Sequence, residues 1–93
     1  HGEYGSYFIS DSIILKADAL KVDVKSTVGA GDSMLAGFIS EYVRNGDIHE
    51  SLRVATACGA LAVSQEGTQS FTLEEVSELK KHVKITDIVR RNL

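Results

Sequence analysis

Apolar and polar residues alternate strictly over Leu20-Lys21-Val22-Asp23-Val24-Lys25, the period of a half-buried strand. Ahead of it, Ser6-Tyr7-Phe8-Ile9-Ser10 is rich in β-formers. Ile13-Ile14-Leu15-Lys16 follows after Asp11-Ser12, so a hairpin is expected, with hairpin and strand together filling residues 6–25. The opening His1-Gly2-Glu3-Tyr4-Gly5 reads as a turn. The period then changes. Leu35, Phe38, Ile39, Tyr42 and Val43 recur at helical spacing and predict a helix over 33–44, with Asn45-Gly46 closing it. Asp47, with Glu50 three residues on, forms a capping-box-like pair for a helix over 48–64. That helix is apolar nearly all round, which predicts burial on several sides. Gln65-Glu66-Gly67-Thr68 reads as a turn, and Thr72 with Glu75 opens a third helix over 73–82 with Leu73, Val76 and Leu79 on one face. The tail from Val83 to Leu93 fits either a strand or a short helix.

At 93 residues, 43% of them hydrophobic and 25% charged, the chain suits one small domain or part of a larger one. It opens on His1 inside a turn-like run, so a fragment is expected. Apolar runs such as Ala60-Leu61-Ala62-Val63 fall far short of the roughly 20 residues a membrane helix needs, and no basic start leads into an apolar stretch. Neither a membrane nor a secretory route is expected. A net charge of -3, with the basic residues thinly spread near the C-terminus, argues against a nucleic-acid partner. Cys58 is the single cysteine, which excludes an internal disulfide and a multi-cysteine zinc site and fits a reducing, cytoplasmic setting.

The chemistry concentrates between Thr27 and Gly37. A strand runs into Gly29-Ala30-Gly31-Asp32 and a helix starts at once. Glycines let the backbone come close to a ligand, and the free amides and dipole of the first helical turn favour an anion such as phosphate. A carboxylate inside an anion site is tolerable if it is there to take a proton, so Asp32 is the candidate general base. Commoner motifs do not fit. Gly31 is followed by Asp32 where a P-loop needs Lys, and Met34 stands where the dinucleotide fingerprint needs Gly or Ala. A serine nucleophile at Ser33 would need a histidine partner, and His49 and His82 lie in segments with no matching pattern. The plainer reading is an ordinary helix N-terminus with Asp in its first turn.

The run from Thr27 to Phe38 resembles the second signature of the ribokinase-like, phosphofructokinase B family of sugar kinases. In that family a Gly-Ala-Gly-Asp turn forms an anion hole and its Asp is the catalytic base. Upstream, Gly2-Glu3-Tyr4-Gly5 and the hairpin resemble the family's Gly-x-x-Gly turn at the nucleotide phosphates. Downstream, the Ala-rich helix and Glu66-Gly67-Thr68 resemble the segment beside the adenine. The resemblance implies an α/β fold, residues 1–93 being the C-terminal portion of a ribokinase-like three-layer α/β/α kinase whose sugar-binding N-terminal portion and lid are absent. It assigns Asp32 as base and Gly29, Ala30 and Gly31 (turn 27–32) as the anion hole. Gly2, Glu3, Gly5, Ala57 and Cys58 are assigned to the nucleotide.

Within the family the sequence is most similar to the branch of the 1-phosphofructokinases, then to that of the tagatose-6-phosphate kinases. The implied reaction is ATP-dependent phosphorylation of a phosphorylated ketohexose, fructose 1-phosphate to fructose 1,6-bisphosphate. Mg²⁺ would arrive on the ATP, with no metal site of the protein's own, and a homo-oligomer is expected of the parent enzyme. The isolated piece is expected to be inactive. Plain packing competes for Cys58, a surface position for His49. The rival from another class is a non-catalytic nucleotide- or partner-binding module.

Overall fold

The computed structural model describes residues 2–65 and 71–91. Strands β1 (Gly2–Ile9) and β2 (Ile13–Val22) form the expected hairpin, with Phe8 opposite Leu15 and Ile9 opposite Ile14. Ser10 N–H closes the connection on the Ile13 carbonyl at 2.9 Å. The expected turn at Gly2–Gly5 is instead strand: Gly2, Glu3 and Tyr4 pair with Val22, Lys21 and Leu20. Leu20–Val22, the first half of the alternating segment that predicted a separate strand, is the end of β2, and it offers the ladder hydrogen bonds that outweigh the glycines' turn preference. Gly5 is absorbed where the register shifts between Tyr4 and Ser6. Asp18 and Ala19 face it two against one, a β-bulge. The bulge turns Asp18 N–H to the Lys84 carbonyl, 2.9 Å away.

Past Val22 the chain leaves the sheet. Lys25 and Ser26 donate their amides to the Val63 carbonyl at 2.7 and 3.1 Å, so Asp23–Lys25 is not strand. The undecided tail is a strand, β3 (Ile85–Arg90), antiparallel to β2, and the sheet order is β1-β2-β3.

Helix α1 (Ala30–Asn45) starts three residues earlier than its apolar spacing predicts, because Gly29 at φ 82° turns the chain directly into helix. Gly46, at φ 67°, ends it and donates its amide to the Tyr42 carbonyl at 2.7 Å. In α2 (Ile48–Val63) Asp47 caps as expected, its Oδ1 accepting from Glu50 N–H at 3.1 Å. The reciprocal half of that box is replaced: the Glu50 carboxylate goes to Lys80 at 2.6 Å and Arg53 at 3.4 Å. Before α3 (Leu73–Lys80) both halves of the Thr72–Glu75 box are present. This helix ends two residues short of expectation, as His82 and Val83 bond back to Leu79 and Lys80 in a turn. The expected turn at Gln65–Thr68 lies mostly outside the described residues, as does His1.

The all-round apolar helix is the buried one. α2 packs Leu52 and Ala60 against Leu15, Ala17 and Leu20 of β2, with Val83 completing that cluster. Its Ala57 and Cys58 form a second cluster with Val76 of α3. Thr56 stays inside by donating to the Leu52 carbonyl and pairing with Ser6 Oγ at 2.7 Å. α1 keeps only Phe38 of its predicted apolar stripe against the core, where it stacks on Phe8. Its buried residues are Ala30, Gly37 and Glu41, whereas Leu35 is 60% and Val43 79% exposed. Small residues win that face because α1 lies close against the small-residue stripe of α2. The sheet face away from the helices also exposes apolar residues, among them Tyr7 and Ile9.

Candidate nucleotide and phosphoryl-transfer site

The turn before α1 is fixed from both ends. Lys25 and Ser26 hang on the end of α2, and Ser26 Oγ then accepts from Val28 N–H at 3.2 Å. Gly29 takes the left-handed conformation that glycine adopts without steric cost. Its carbonyl accepts the first intrahelical bond, from Ser33 at 2.9 Å. No side chain caps this helix. The amides of Gly31 and Asp32 therefore have no intrahelical acceptor and project from the positive end of the α1 dipole.

Gly31 is the informative position. Its φ is not positive, and a Cβ placed there meets nothing within 4 Å. Neither backbone conformation nor packing asks for glycine, although a glycine inside a helix costs about 1 kcal/mol relative to alanine. Open space over two unsatisfied amides is what a close-lying anion would use. Asp32 is exposed beside it. The structure thus brings Gly29, Ala30, Gly31 and Asp32 into one turn, with Ala30 buried against the body of the fold.

A cavity of about 430 Å³ lies between α1, α2 and α3, within the size range of small-molecule sites. Gly37, Val54, Cys58, Phe71 and Val76 give it apolar walls, and Glu41, Arg44 and Lys80 a charged end. Counting 1.5 Å per helical residue, its α1 wall from Gly37 to Glu41 lies about 9–15 Å along the axis from Gly31. One helix therefore carries uncapped amides at its start and, beyond them, one wall of this hollow.

Of the two α2 residues assigned to the nucleotide, Cys58 lines the cavity and Ala57 does not; Ala57 is fully buried in the second cluster. Burial pushes the Cys58 thiol up, which suits a packing residue better than a nucleophile. Gly2 and Glu3 lie in the β1 ladder, so the turn that would have wrapped phosphate is absent there. Sequence reasoning missed Gly37, Val54, Phe71, Val76 and Glu41 as cavity residues. Gly37 stood inside the recognised run, but its role depends on which α1 face meets α2. Among the described residues no three His, Cys, Asp or Glu side chains gather as metal ligands, and no helix is long and apolar enough to cross a membrane.

Residues 1–75 match the pfkB family carbohydrate kinase. The chain belongs to the pfkB family of carbohydrate kinases. It is 32% identical over 90 residues to a 1-phosphofructokinase of Haloferax volcanii, covering 97% of this chain and 30% of that protein. An ATP-dependent ribose-1-phosphate kinase of Halopiger xanaduensis is 47% identical over 49 residues, 53% of this chain and 17% of that protein. A solved structure from Staphylococcus aureus, of a protein thought to be a phosphofructokinase, superposes with a TM-score of 0.86 at 28% identity. That match covers 97% of this chain and 29% of the other. The chain thus spans at most 30% of the length of these relatives. Its α/β architecture is that of a piece of the pfkB kinase fold.

Proposed function

We propose that residues 1–93 are the C-terminal part of an ATP-dependent sugar kinase and supply its anion hole, its catalytic base and part of its nucleotide pocket. The substrate is a phosphorylated ketohexose, with fructose 1-phosphate giving fructose 1,6-bisphosphate. What supports this reading most is Gly31, a helical glycine that neither conformation nor packing requires, next to unsatisfied amides and an exposed carboxylate.

In this reading the triphosphate lies across the Gly31 and Asp32 amides, with the base beside α2 near Ala57 and Cys58. Asp32 takes the proton from the attacking sugar hydroxyl. The freed oxygen bonds to the γ-phosphorus as the bond to the β-phosphate oxygen breaks, and ADP leaves. The amides stabilise charge on the transferring group, since phosphoryl transfer relies chiefly on positioning and electrostatics. Magnesium travels on the nucleotide phosphates, an arrangement that needs few protein ligands. The 93-residue chain alone should show no turnover, because none of its described residues is assigned to hold the sugar hydroxyl near Asp32.

The test is Asp32→Asn in the full-length protein that carries this chain. The substitution keeps size and leaves the backbone amides in place. Loss of a general base lowers kcat by roughly 10²–10⁴, with little change in KM for ATP. A variant with near-normal kcat and a slightly lower melting temperature would mean that Asp32 only serves the helix dipole, as in a non-catalytic module. The Halopiger relative favours a second substrate, ribose 1-phosphate. Turnover measured side by side on fructose 1-phosphate, tagatose 6-phosphate and ribose 1-phosphate decides between them.

A further inference from the structure

The last carbonyls of α2, which no helix can satisfy within itself, all find donors. Ser64 N–H donates to the Ala60 and Leu61 carbonyls at 3.2 Å, the Ser64 hydroxyl to Leu61 at 2.8 Å, and Gln65 N–H to Ala62 at 3.4 Å. The carbonyl of Val63, a residue in the core, accepts the amides of both Lys25 and Ser26. The end of the buried helix thus holds the chain at Ser26. From that anchor to α1 the chain crosses exposed ground: Thr27, Val28 and Gly29 all face solvent. Thr27 carbonyl accepts from Ala30 N–H at 3.4 Å and Gly29 carbonyl from Ser33 N–H at 2.9 Å, both inside the turn and the helix it opens. The bond from Val28 N–H to Ser26 Oγ, at 3.2 Å, reaches back to the anchor. Ser26 is therefore tied on both sides, its amide to the core and its hydroxyl to the turn. Folding stability does not explain the hydroxyl, since an exposed amide exchanges such a bond for one to water at little net cost. What the bond fixes is direction. Gly29, at φ 82°, comes next, and a swing at Val28 carries through it to the amides of Gly31 and Asp32.

We propose that Ser26 is a positioning residue for phosphoryl transfer: its hydroxyl, anchored through the Val63 carbonyl, holds the Thr27–Asp32 turn where the Gly31 and Asp32 amides meet the transferring phosphate and the Asp32 carboxylate meets the attacking hydroxyl. The role rests on the reading that this turn is the anion hole and Asp32 the base. Ser26 acts through the backbone rather than by touching substrate. Stabilisation by amides depends on their being aimed before charge develops, so that nothing has to reorganise during the reaction. A misplacement of about 1 Å in such a site lowers the rate on the order of 10²-fold. A short hydroxyl side chain suits the task, because it reaches the amide two residues on without a long chain to order.

The experiment measures kcat, KM for ATP and for fructose 1-phosphate, and the melting temperature of Ser26→Ala in the full-length protein that carries this chain. The substitution removes the hydroxyl and leaves the two amides on Val63 in place. kcat is expected to fall about tenfold, the scale of one hydrogen bond. Both KM values and the melting temperature should stay where they are, because what is lost is felt in the transition state. Ser26→Thr keeps an acceptor at the same place and should restore turnover. In an Asp32→Asn background Ser26→Ala should cost less than it does alone, as expected of coupled residues. An unchanged kcat in Ser26→Ala overturns the assignment. So does a fall that comes with a lower melting temperature or with failure to fold, a Thr variant as slow as the Ala variant, or strict additivity with Asp32→Asn. If Ser26→Ala changes nothing while Asp32→Asn still lowers kcat, Ser26 alone is wrong. If Asp32→Asn turns over like the wild type, the catalytic reading of the turn falls, and the positioning role with it.

Discussion

Cys58 Sγ lies 2.8 Å from where a Cβ on Gly37 would stand, and Cys58 Cβ lies 3.3 Å from it. The first two helices are therefore as close as a missing side chain allows, and the cavity wall is made at that contact. Gly37→Ala should overpack it and cost roughly 1–3 kcal/mol. Cys58→Ala in the same background should restore part of the loss. Melting curves for the two single variants and the double variant check this, and additive losses would show that the two positions are not in contact.

Gly31→Ala separates folding from function. The site has room and an ordinary backbone, so alanine should stabilise α1 by up to about 1 kcal/mol. In the full-length protein the added methyl would crowd the amides proposed to hold the phosphate, so turnover should fall. A higher melting temperature with lower kcat/KM is the expected pair; unchanged turnover would remove the main support for an anion hole.

Asp87 joins β3 to α2. Arg90 and then His49 hold its carboxyl below the usual aspartate range, with His49 Nε2 2.9 Å from Oδ1. A carboxyl whose pKa is lowered on folding contributes stability above its unfolded pKa and loses it as pH falls through the folded one. The tie should therefore hold at neutral pH and weaken below about pH 4, the ordinary aspartate value. Asp87→Asn should flatten that acid limb of melting temperature against pH. An identical acid limb in the variant would mean that the contact adds nothing.

Thr72→Ala removes one half of a complete capping box and should cost about 1 kcal/mol. The loss should show first as faster amide exchange in the first turn of Leu73–Lys80, since the later turns are also held by Val76, Leu79 and the Lys80–Glu50 pair.

The outer face of α1 exposes Leu35, Ile39 and Val43, and the free sheet face exposes Tyr7 and Ile9. Apolar surface of this kind promotes association. The isolated 93-residue chain should form dimers or larger assemblies at about 100 µM, the working range of sedimentation, where an independent small domain would stay a monomer with cooperative unfolding. Leu35→Glu with Val43→Lys should shift it towards monomer.

Local chemistry by itself determined the hairpin, the two caps at Asp47 and Thr72, the helix stop at Gly46 and the burial of α2. Each depends on neighbours a few residues apart, whose hydrogen bonds or periodicity do not wait for the rest of the chain. The Gly29–Asp32 turn was legible for the same reason, and its resemblance to sugar kinases agrees with the family the chain matches. Tertiary structure decided what depends on distant partners. Gly2–Tyr4 became strand because Leu20–Val22 lay opposite, and the ambiguous tail became strand because β2 had an open edge. Only the packed helices decided that α1 would bury Ala30, Gly37 and Glu41 and half-bury Phe38 while leaving Leu35, Ile39 and Val43 outside. Periodicity marks an apolar stripe, but which face is buried depends on the surface it meets, and at Gly37 α2 comes so close that no side chain fits between the helices.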